Sequence, residues 1–266
     1  MDTARAYGTS EQIVGSVIAK GWDDRLRVIT KLSPLADWEP QDQPKGARAA
    51  AEASLWASCH ALGQTRLDTV LLHRQSHWEA WDGAIACLLR EWVEAGRISR
   101  LGVSVQSPEE LDAALDVTDF NHVQMPYNIL DHRWDKILSK LEHVRRERCL
   151  TVHIRSVFLQ GLLMSDDSRK WNCAGHPNWK KTRKWLNNTA ENLGQTGVDA
   201  LCINSVRGLP WVDGVVVGMD NLEQLRSNIS VFSGPSLPVE TVTTLRNEKP
   251  YLLPKTLDPA QWTKAP

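Results

Sequence analysis

The sequence predicts an α/β protein with a parallel sheet, and three observations support this fold class. Short runs of β-branched and aliphatic residues alternate with longer amphipathic segments, which is typical of strands joined by helical crossovers. The length of 266 residues suits a single (β/α)8 barrel, a fold of about 250 residues. The runs predict six strands, so both a (β/α)8 barrel and an open doubly wound sheet fit the pattern.

The predicted elements follow one another at regular spacing. The strands cover Val28–Lys31, Thr69–His73, Ile98–Val103, His122–Met125, Leu150–Ile154 and Val212–Val217. Helical periodicity predicts helices over 10–20, 47–62, 83–95, 136–146, 179–193 and 221–232. A further helix begins at Ser107, because Pro108 and Glu110 complete a capping-box signature after that serine. The proline-rich segment 235–266 is predicted to be a C-terminal surface tail of one domain spanning 1–266.

Charge and composition exclude several functional classes. The 31 Lys+Arg and 32 Asp+Glu residues give a formal net charge of -1, without the basic footprint of a general nucleic-acid-binding protein. No apolar run reaches the ~20 residues of a membrane span, and Met1 to Gly8 has no signal-peptide pattern. The five cysteines form no CxxC pair, which indicates reduced thiols. We therefore expect a cytoplasmic protein that binds neither nucleic acid nor membranes.

Metal and nucleotide motifs are weak when each is taken alone. His176 lies close to Cys173 in the sequence, but two ligands in a polar loop are too few for a metal site, and none is predicted. No GxGxxG follows the first predicted strand, which disfavours a dinucleotide-binding Rossmann domain. Lys31 and His73 each end a predicted strand, where a barrel carries its reactive groups. Either residue could equally be a solvated lysine or a structural histidine.

The opening run Asp2-Thr3-Ala4-Arg5-Ala6-Tyr7-Gly8-Thr9-Ser10-Glu11 resembles the signature of the aldo-keto reductases. Six later segments match the family in the family's order, so the resemblance extends over nearly all of residues 2–232. They are Ile29-Thr30-Lys31, Leu71-Leu72-His73, Gly102-Val103-Ser104 with Ser107-Pro108-Glu109-Glu110-Leu111, Gln124-Met125-Pro126-Tyr127-Asn128, 155–163, and Val217-Gly218 with 223–229.

This resemblance implies hydride transfer between a nicotinamide cofactor and an aldehyde or ketone. The implied catalytic residues are Tyr7, Asp2, Lys31 and His73. Tyr7 would be the general acid that protonates the developing alkoxide, and the ammonium of Lys31 would favour the phenolate form of Tyr7. Asp2 would pair with Lys31, and His73 would orient the substrate carbonyl through a hydrogen bond.

The resemblance also implies a set of cofactor-binding residues. They are Ser104, Gln124, Arg155, Ser156, Gln160, Gly218, Asn221, Gln224 and Asn228. Two positions depart from the family pattern, because Val105 replaces a frequent asparagine and Arg155 a frequent aromatic ring. After Gly218 the chain reads Met219-Asp220-Asn221, without the basic side chains that often hold a 2′-phosphate. NADP(H) is expected from the family, with NAD(H) as the alternative.

Family barrels have a first strand, a first helix and most of a second strand before the Asp-Thr-Ala run. Here only Met1 precedes Asp2, so we expect an N-terminally truncated (β/α)8 barrel. A chain cut at its N-terminus, a partner that supplies the missing elements and a decayed relative are the three explanations. The expected substrate is a small carbonyl compound, and Arg155, Ser156 and the Trp-rich loops favour a sugar-like one. The alternative function is an inactive barrel that binds a nucleotide or oligomerises; the sequence carries no signal for an oligomeric state.

Overall fold

The computed structural model describes residues 1–22, 25–39 and 41–263, and its strands form one sheet. The strands are β1 (Ile29–Lys31), β2 (Leu67–Leu72), β3 (Ile98–Ser104), β4 (His122–Pro126), β5 (Thr151–Arg155) and β6 (Gly214–Val215). They neighbour one another in chain order, and the pairs β1–β2, β2–β3, β3–β4 and β5–β6 are parallel. The predicted parallel α/β class and its six strands are confirmed.

At least one helix separates each strand from the next in the described part of the chain, and three helices lie between β5 and β6. The helices are α1 (Ser10–Ile18), α2 (Pro44–Leu62), α3 (Ala84–Glu94), α4 (Pro108–Asp116), α5 (Leu138–Glu147), α6 (Ser168–Cys173), α7 (Trp179–Asn192), α8 (Val198–Arg207), α9 (Leu222–Ser233) and α10 (Val239–Glu248). The predicted start of α4 is confirmed, because the Oγ of Ser107 accepts a hydrogen bond from the backbone N of Glu110 at 3.3 Å. All the helices predicted from periodicity are present, with ends shifted by a few residues.

Helices α6, α8 and α10 were not predicted. Helix α10 lies inside the segment expected to be a surface tail, and it buries Val242 and Leu245. Leu252 and Leu257, further along, are also buried. Apolar side chains therefore anchor the segment 235–263 to the protein, and its assignment as a surface tail remains a prediction; residues 264–266 lie outside the described residues.

Contacts divide the chain into two compact units. Unit 1 comprises residues 1–124 and 140–151, and unit 2 comprises the rest of the described chain. Each unit has its own buried apolar side chains, such as Leu71 and Leu88 in unit 1 and Trp134 and Leu201 in unit 2. The assignment of 1–266 to a single barrel domain remains a prediction.

The first residues of the chain lie along β1. Asp2 forms an isolated parallel bridge with Ile29, and the backbone N of Ile29 donates to the carbonyl of Met1 at 2.8 Å. The backbone N of Thr3 donates back to the carbonyl of Ile29 at the same distance. This pairing brings the side chain of Asp2 next to the carboxyl end of β1, where Lys31 is located.

Candidate active site

Lys31 is a buried cation at the end of β1. The residue is only 1% exposed, and its Nζ donates to Oδ1 of Asp2 at 2.7 Å and to the carbonyl of Thr3 at 3.1 Å. A buried ammonium needs such partners, because losing its hydration is costly. The expected pairing of Asp2 with Lys31 is present in unit 1.

Tyr7 lies in the loop between Asp2 and α1. Nζ of Lys31 is 5.1 Å from the centroid of the Tyr7 ring, a distance at which the ammonium is attracted to the ring face. Tyr7 is 50% exposed, so part of this residue is accessible to small molecules from solution. The structure thus brings Tyr7, Lys31 and Asp2 together, with the ammonium of Lys31 over the face of the Tyr7 ring.

His73 follows β2 directly, at the carboxyl end of the same sheet. Leu71, two residues earlier, is the register partner of Lys31, so the two strand ends lie side by side. His73 is half-buried. This placement suits the hydrogen-bonding role implied for His73 by the sequence.

A buried ion pair that was not predicted supports the loop that carries Tyr7. The carboxylate of Glu11 is fully buried and pairs with the guanidinium of Arg5. Its other oxygen accepts a hydrogen bond from Oγ1 of Thr30 at 2.6 Å. Because Arg5 and Glu11 flank Tyr7 and Thr30 precedes Lys31, these contacts join the Tyr7 loop to β1. Glu11 belongs to the recognised motif, but only the tertiary structure shows what it contacts.

Ser104 and Gln124 are register partners on β3 and β4. Both side chains are buried. Nε2 of Gln124 donates to Oδ2 of Asp2 at 2.7 Å, whereas Oε1 of Gln124 is buried without a hydrogen-bond partner among the described residues. Two predicted cofactor ligands therefore lie in the same unit as the Asp2–Lys31 pair, and one has a free acceptor. A ligand that donates a hydrogen bond, such as an amide, would satisfy that acceptor.

His77 is a second histidine near the end of β2, and it was not predicted from the sequence. It lies in the short helical turn Gln75–Trp78 and is buried. Burial lowers its pKa from 6.5 to about 4, and the electrostatic interactions with Arg74 and His73 act in the same direction. His77 is therefore neutral at physiological pH.

The remaining predicted cofactor residues belong to unit 2. Arg155 ends β5, and Ser156 and Gln160 after it have positive φ angles of 64° and 52°. Gln160 lines a cavity of about 580 Å³, whose other lining residues are Leu162, Asp167, Arg169, Lys170, Cys173, Trp262 and Thr263. The loop after β5 thus has an irregular backbone beside an open cavity.

The predicted residues near α9 are mostly exposed and take part in capping this helix. Oδ1 of Asn221 accepts from the backbone N of Gln224 at 2.9 Å, and Oε1 of Gln224 accepts from the backbone N of Asp220 at 2.7 Å. Gly218 is exposed, whereas Asn228 is buried on α9. These contacts order the end of the helix and hold no ligand by themselves.

Neither metal clusters nor membrane-spanning helices are found in residues 1–22, 25–39 and 41–263. Groups of three or more potential ligands do not occur there, and Nε2 of His176 lies 2.9 Å from Oγ1 of Thr182. No helix in those ranges is both long and apolar enough to cross a membrane.

Comparison with known proteins decides the family. The model of the Aldo/keto reductase family matches residues 1–247. This chain belongs to that family. Among curated proteins, it is similar to the aldo-keto reductase YhdN of Bacillus subtilis (strain 168), with 28% identity over 185 residues. The match covers 66% of this chain and 52% of YhdN, so the chain aligns with about half of that relative.

Solved aldo-keto reductases have the same fold. The holo form of AKR11C1 from Bacillus halodurans superposes with a TM-score of 0.73 at 20% identity, over 95% of this chain and 82% of that one. The thermostable aldo-keto reductase Tm1743, in complex with the inhibitor epalrestat, superposes with a TM-score of 0.70 at 22% identity, over 92% of this chain and 80% of that one. These likenesses establish the aldo-keto reductase fold for the chain, in agreement with the predicted barrel class.

Proposed function

We propose that this chain is an NADP(H)-dependent oxidoreductase that reduces an aldehyde or ketone to an alcohol, with Tyr7 as the general acid. The observation that carries the proposal is the cluster in which Lys31 contacts both Asp2 and the ring of Tyr7. An aldo-keto reductase needs a proton donor beside a buried cation, and this cluster provides both groups. Membership of the family supplies the reaction class.

The residues of unit 1 have distinct roles in the proposed reaction. When bound, a nicotinamide dinucleotide would supply the hydride that adds to the carbonyl carbon, and negative charge would remain on the carbonyl oxygen. Tyr7 gives its hydroxyl proton to that oxygen, so the product is a neutral alcohol and Tyr7 becomes a phenolate. The ammonium of Lys31 stabilises the phenolate, and Asp2 holds Lys31 in place. His73 donates a hydrogen bond that orients the carbonyl.

The free acceptor on Gln124 supports a nicotinamide site in unit 1. Oε1 of Gln124 is buried without a partner among the described residues, and the carboxamide of nicotinamide carries the N–H groups that would satisfy it. Ser104 lies beside Gln124 in the sheet register, and its hydroxyl would donate a hydrogen bond to the carbonyl oxygen of the same carboxamide. The further cofactor contacts that we propose are Arg155, Ser156, Gln160, Gly218, Asn221, Gln224 and Asn228.

The choice between NADP(H) and NAD(H) depends on the loop after β6. The family favours NADP(H), but Asp220 is an exposed carboxylate in this loop, which would repel a 2′-phosphate. We keep NADP(H) as the proposed cofactor. Titration of the protein with NADPH and with NADH, monitored by tryptophan fluorescence, tests this choice of cofactor. Tighter binding of NADH would make NAD(H) the proposed cofactor instead.

The proposed substrate is a small carbonyl compound, and the proposed location is the cytoplasm. Turnover is measured with NADPH and a panel of aliphatic aldehydes, aromatic aldehydes, ketones and aldoses. Activity confined to the other classes would contradict the sugar-like expectation. A folded protein that binds a dinucleotide and turns over no member of the panel would instead favour the alternative function, a nucleotide-binding protein without catalysis.

Substitution of Tyr7 by Phe tests the role of the general acid. Tyr7→Phe should lower kcat by about a hundredfold or more, the contribution of a positioned acid, and leave the cofactor Kd almost unchanged. Tyr251→Phe is the matched control, because Tyr251 is also exposed and its substitution removes the same hydroxyl far along the sequence in unit 2. Retained turnover in Tyr7→Phe would exclude Tyr7 as the acid.

A further inference from the structure

Asp2 is hydrogen-bonded on both of its carboxylate oxygens. Oδ1 accepts from Nζ of Lys31 and Oδ2 accepts from Nε2 of Gln124, each at 2.7 Å. The side chain of Lys31 is 2% exposed and that of Asp2 13%, and Gln124 is fully buried. One carboxylate thus connects the cation beside Tyr7 to an amide on β4.

The charge of Asp2 determines which way the Gln124 amide is oriented. An ionised carboxylate only accepts hydrogen bonds, whereas an amide has one donating and one accepting end. Gln124 must therefore present Nε2 to Asp2, and Oε1 is left as its outward group. That oxygen is buried with no donor among the residues that the structure describes, which is uncommon for a buried acceptor.

We propose that Asp2 is a positioning residue for the cofactor as well as the partner of Lys31. Through Gln124, Asp2 presents a hydrogen-bond acceptor to the nicotinamide carboxamide, so Gln124 recognises the amino group of that carboxamide and not its carbonyl. The inference rests on the proposed function, since it requires a nicotinamide ligand. The ligand chemistry that it specifies is a primary amide or thioamide with N–H groups to donate.

The same carboxylate then serves two purposes in the reaction. It holds Lys31, whose Nζ is 5.1 Å from the ring centroid of Tyr7. It also determines whether Gln124 presents a hydrogen-bond acceptor or a donor to the carboxamide. Loss of the negative charge on Asp2 would change both, whereas loss of the Gln124 amide would change only cofactor recognition. The two effects can therefore be measured separately.

Three oxidised dinucleotides test this polarity in the wild-type chain. NADP+, its thionicotinamide analogue and its 3-acetylpyridine analogue differ at one substituent, and only the acetyl compound lacks the amino group. Binding is measured by the quenching of tryptophan fluorescence. The thio analogue should bind within about twofold of NADP+, and the acetyl analogue about tenfold more weakly, because it leaves Oε1 of Gln124 unsatisfied. Equal binding of all three compounds would overturn the inference.

The variant Asp2→Asn tests whether Asp2 sets the preference. Its oxygen can face Lys31 while its amide nitrogen donates to Oε1 of Gln124, so the Gln124 amide reverses and presents a donor to the carboxamide. The ratio between the Kd values of the acetyl analogue and NADP+ should then fall to about one. If Asp2→Asn keeps the wild-type ratio, Asp2 has no positioning role.

Asp68→Asn is the matched control for this substitution. Asp68 is likewise a carboxylate with both oxygens bound, to Nη1 of Arg27 at 3.3 Å and to the backbone N of Val28 at 3.0 Å. Asp68 belongs to unit 1 but not to the proposed site, so its variant should keep the wild-type ratio. A change in this control equal to that in Asp2→Asn would also count against the inference.

If Asp2→Asn does not fold, the variant Gln124→Met tests the inference in its place. Methionine has a similar size and no amide, so the Kd ratio should again fall to about one, and a preserved preference would overturn the inference. Failure of the proposed function is recognised differently. A folded wild-type protein that binds none of the three dinucleotides contradicts the proposed function, whereas binding without preference contradicts only the role assigned to Asp2.

Discussion

The group around Lys31 in unit 1 and the group around Asn221 in unit 2 are organised in opposite ways. In unit 1, the side chains of Asp2, Lys31 and Gln124 are shielded from water, and Asp2 accepts hydrogen bonds from Lys31 on β1 and from Gln124 on β4. In unit 2, Asn221 and Gln224 are exposed and bond to backbone groups within four residues of themselves. The first arrangement depends on the sheet, and the second depends on a helix terminus.

This difference shows where substitutions should be most damaging. A buried ion pair that loses one partner leaves an uncompensated charge away from water. A helix cap that loses its side chain leaves a backbone N–H that water can reach. Disruption of the first group should therefore cost more free energy of unfolding than disruption of the second.

The largest effect is expected for Lys31→Met. The substitution leaves Asp2 charged and nearly buried, and it should lower the free energy of unfolding by about 3 kcal/mol, measured by urea denaturation. Lys140→Met is the control, because Lys140 pairs with the exposed Asp112 and Asp116 at 2.7 Å and should cost less than about 1 kcal/mol. Equal losses in the two variants would contradict the contrast between buried and exposed pairs.

The next effect is a pH dependence that originates at His77 in unit 1. Because its pKa is about 4 in the folded protein and 6.5 for an exposed histidine, the unfolded chain binds a proton between these pH values and the folded chain does not. Stability should therefore fall as the pH falls from 6.5 to about 4, by about 2 kcal/mol from this residue.

Urea denaturation at pH 7 and at pH 4.5 measures this contribution as the difference between wild type and His77→Gln. The variant should have the flatter profile. His143→Gln is the control, because His143 is an exposed residue of α5, and this variant should keep the wild-type profile. Parallel profiles for wild type and His77→Gln would show that the buried histidine does not contribute.

A smaller effect is expected at the cap of α9. Asn221→Ala removes the acceptor for the backbone N of Gln224 and should cost about 1 kcal/mol, with faster amide hydrogen exchange confined to the first turn of the helix. Asn221→Ser supplies another capping oxygen and should restore most of the stability. A loss in Asn221→Ala as large as that in Lys31→Met would remove the distinction between the two groups.

The smallest effect should come from Tyr127→Phe in unit 2. The hydroxyl of Tyr127 is buried and has no hydrogen-bond partner among the described residues, while its ring packs edge-on against Trp211 at 5.3 Å. Removal of an unsatisfied polar group keeps the ring contact and should leave stability unchanged or raise it by up to about 1 kcal/mol. Thermal unfolding measures this, and a clear decrease in Tm would contradict it.

The strands could be predicted from the sequence because each is a short apolar run between polar segments, whereas two long helices were missed for separate reasons. Helix α8 is buried on nearly every side, from Ala200 to Val206, so it lacks the polar face that produces a 3.6-residue period. Helix α10 is rich in threonine and valine, which are weak helix formers. Burial of Val242 and Leu245 stabilises it in spite of its composition.

The catalytic candidates could be named from the sequence, but their contacts could not. A run of motif residues in the family's order was enough to select Asp2, Tyr7, Lys31 and His73. No local pattern indicates that Gln124 binds Asp2, because the two residues are 122 positions apart. His77 was likewise not predicted from the sequence, because the burial and the electrostatic interactions that lower its pKa arise only in the folded chain.

By itself, the sequence determined the fold class, the family and the types of side chain available at the candidate site. Strand periodicity and motif order are local properties, so they can be read without coordinates. The tertiary structure decided which of those side chains meet, which are shielded from water and which way the Gln124 amide faces. These properties depend on contacts between distant segments, since hydrogen-bond polarity and desolvation are set by neighbours in space and not by neighbours along the chain.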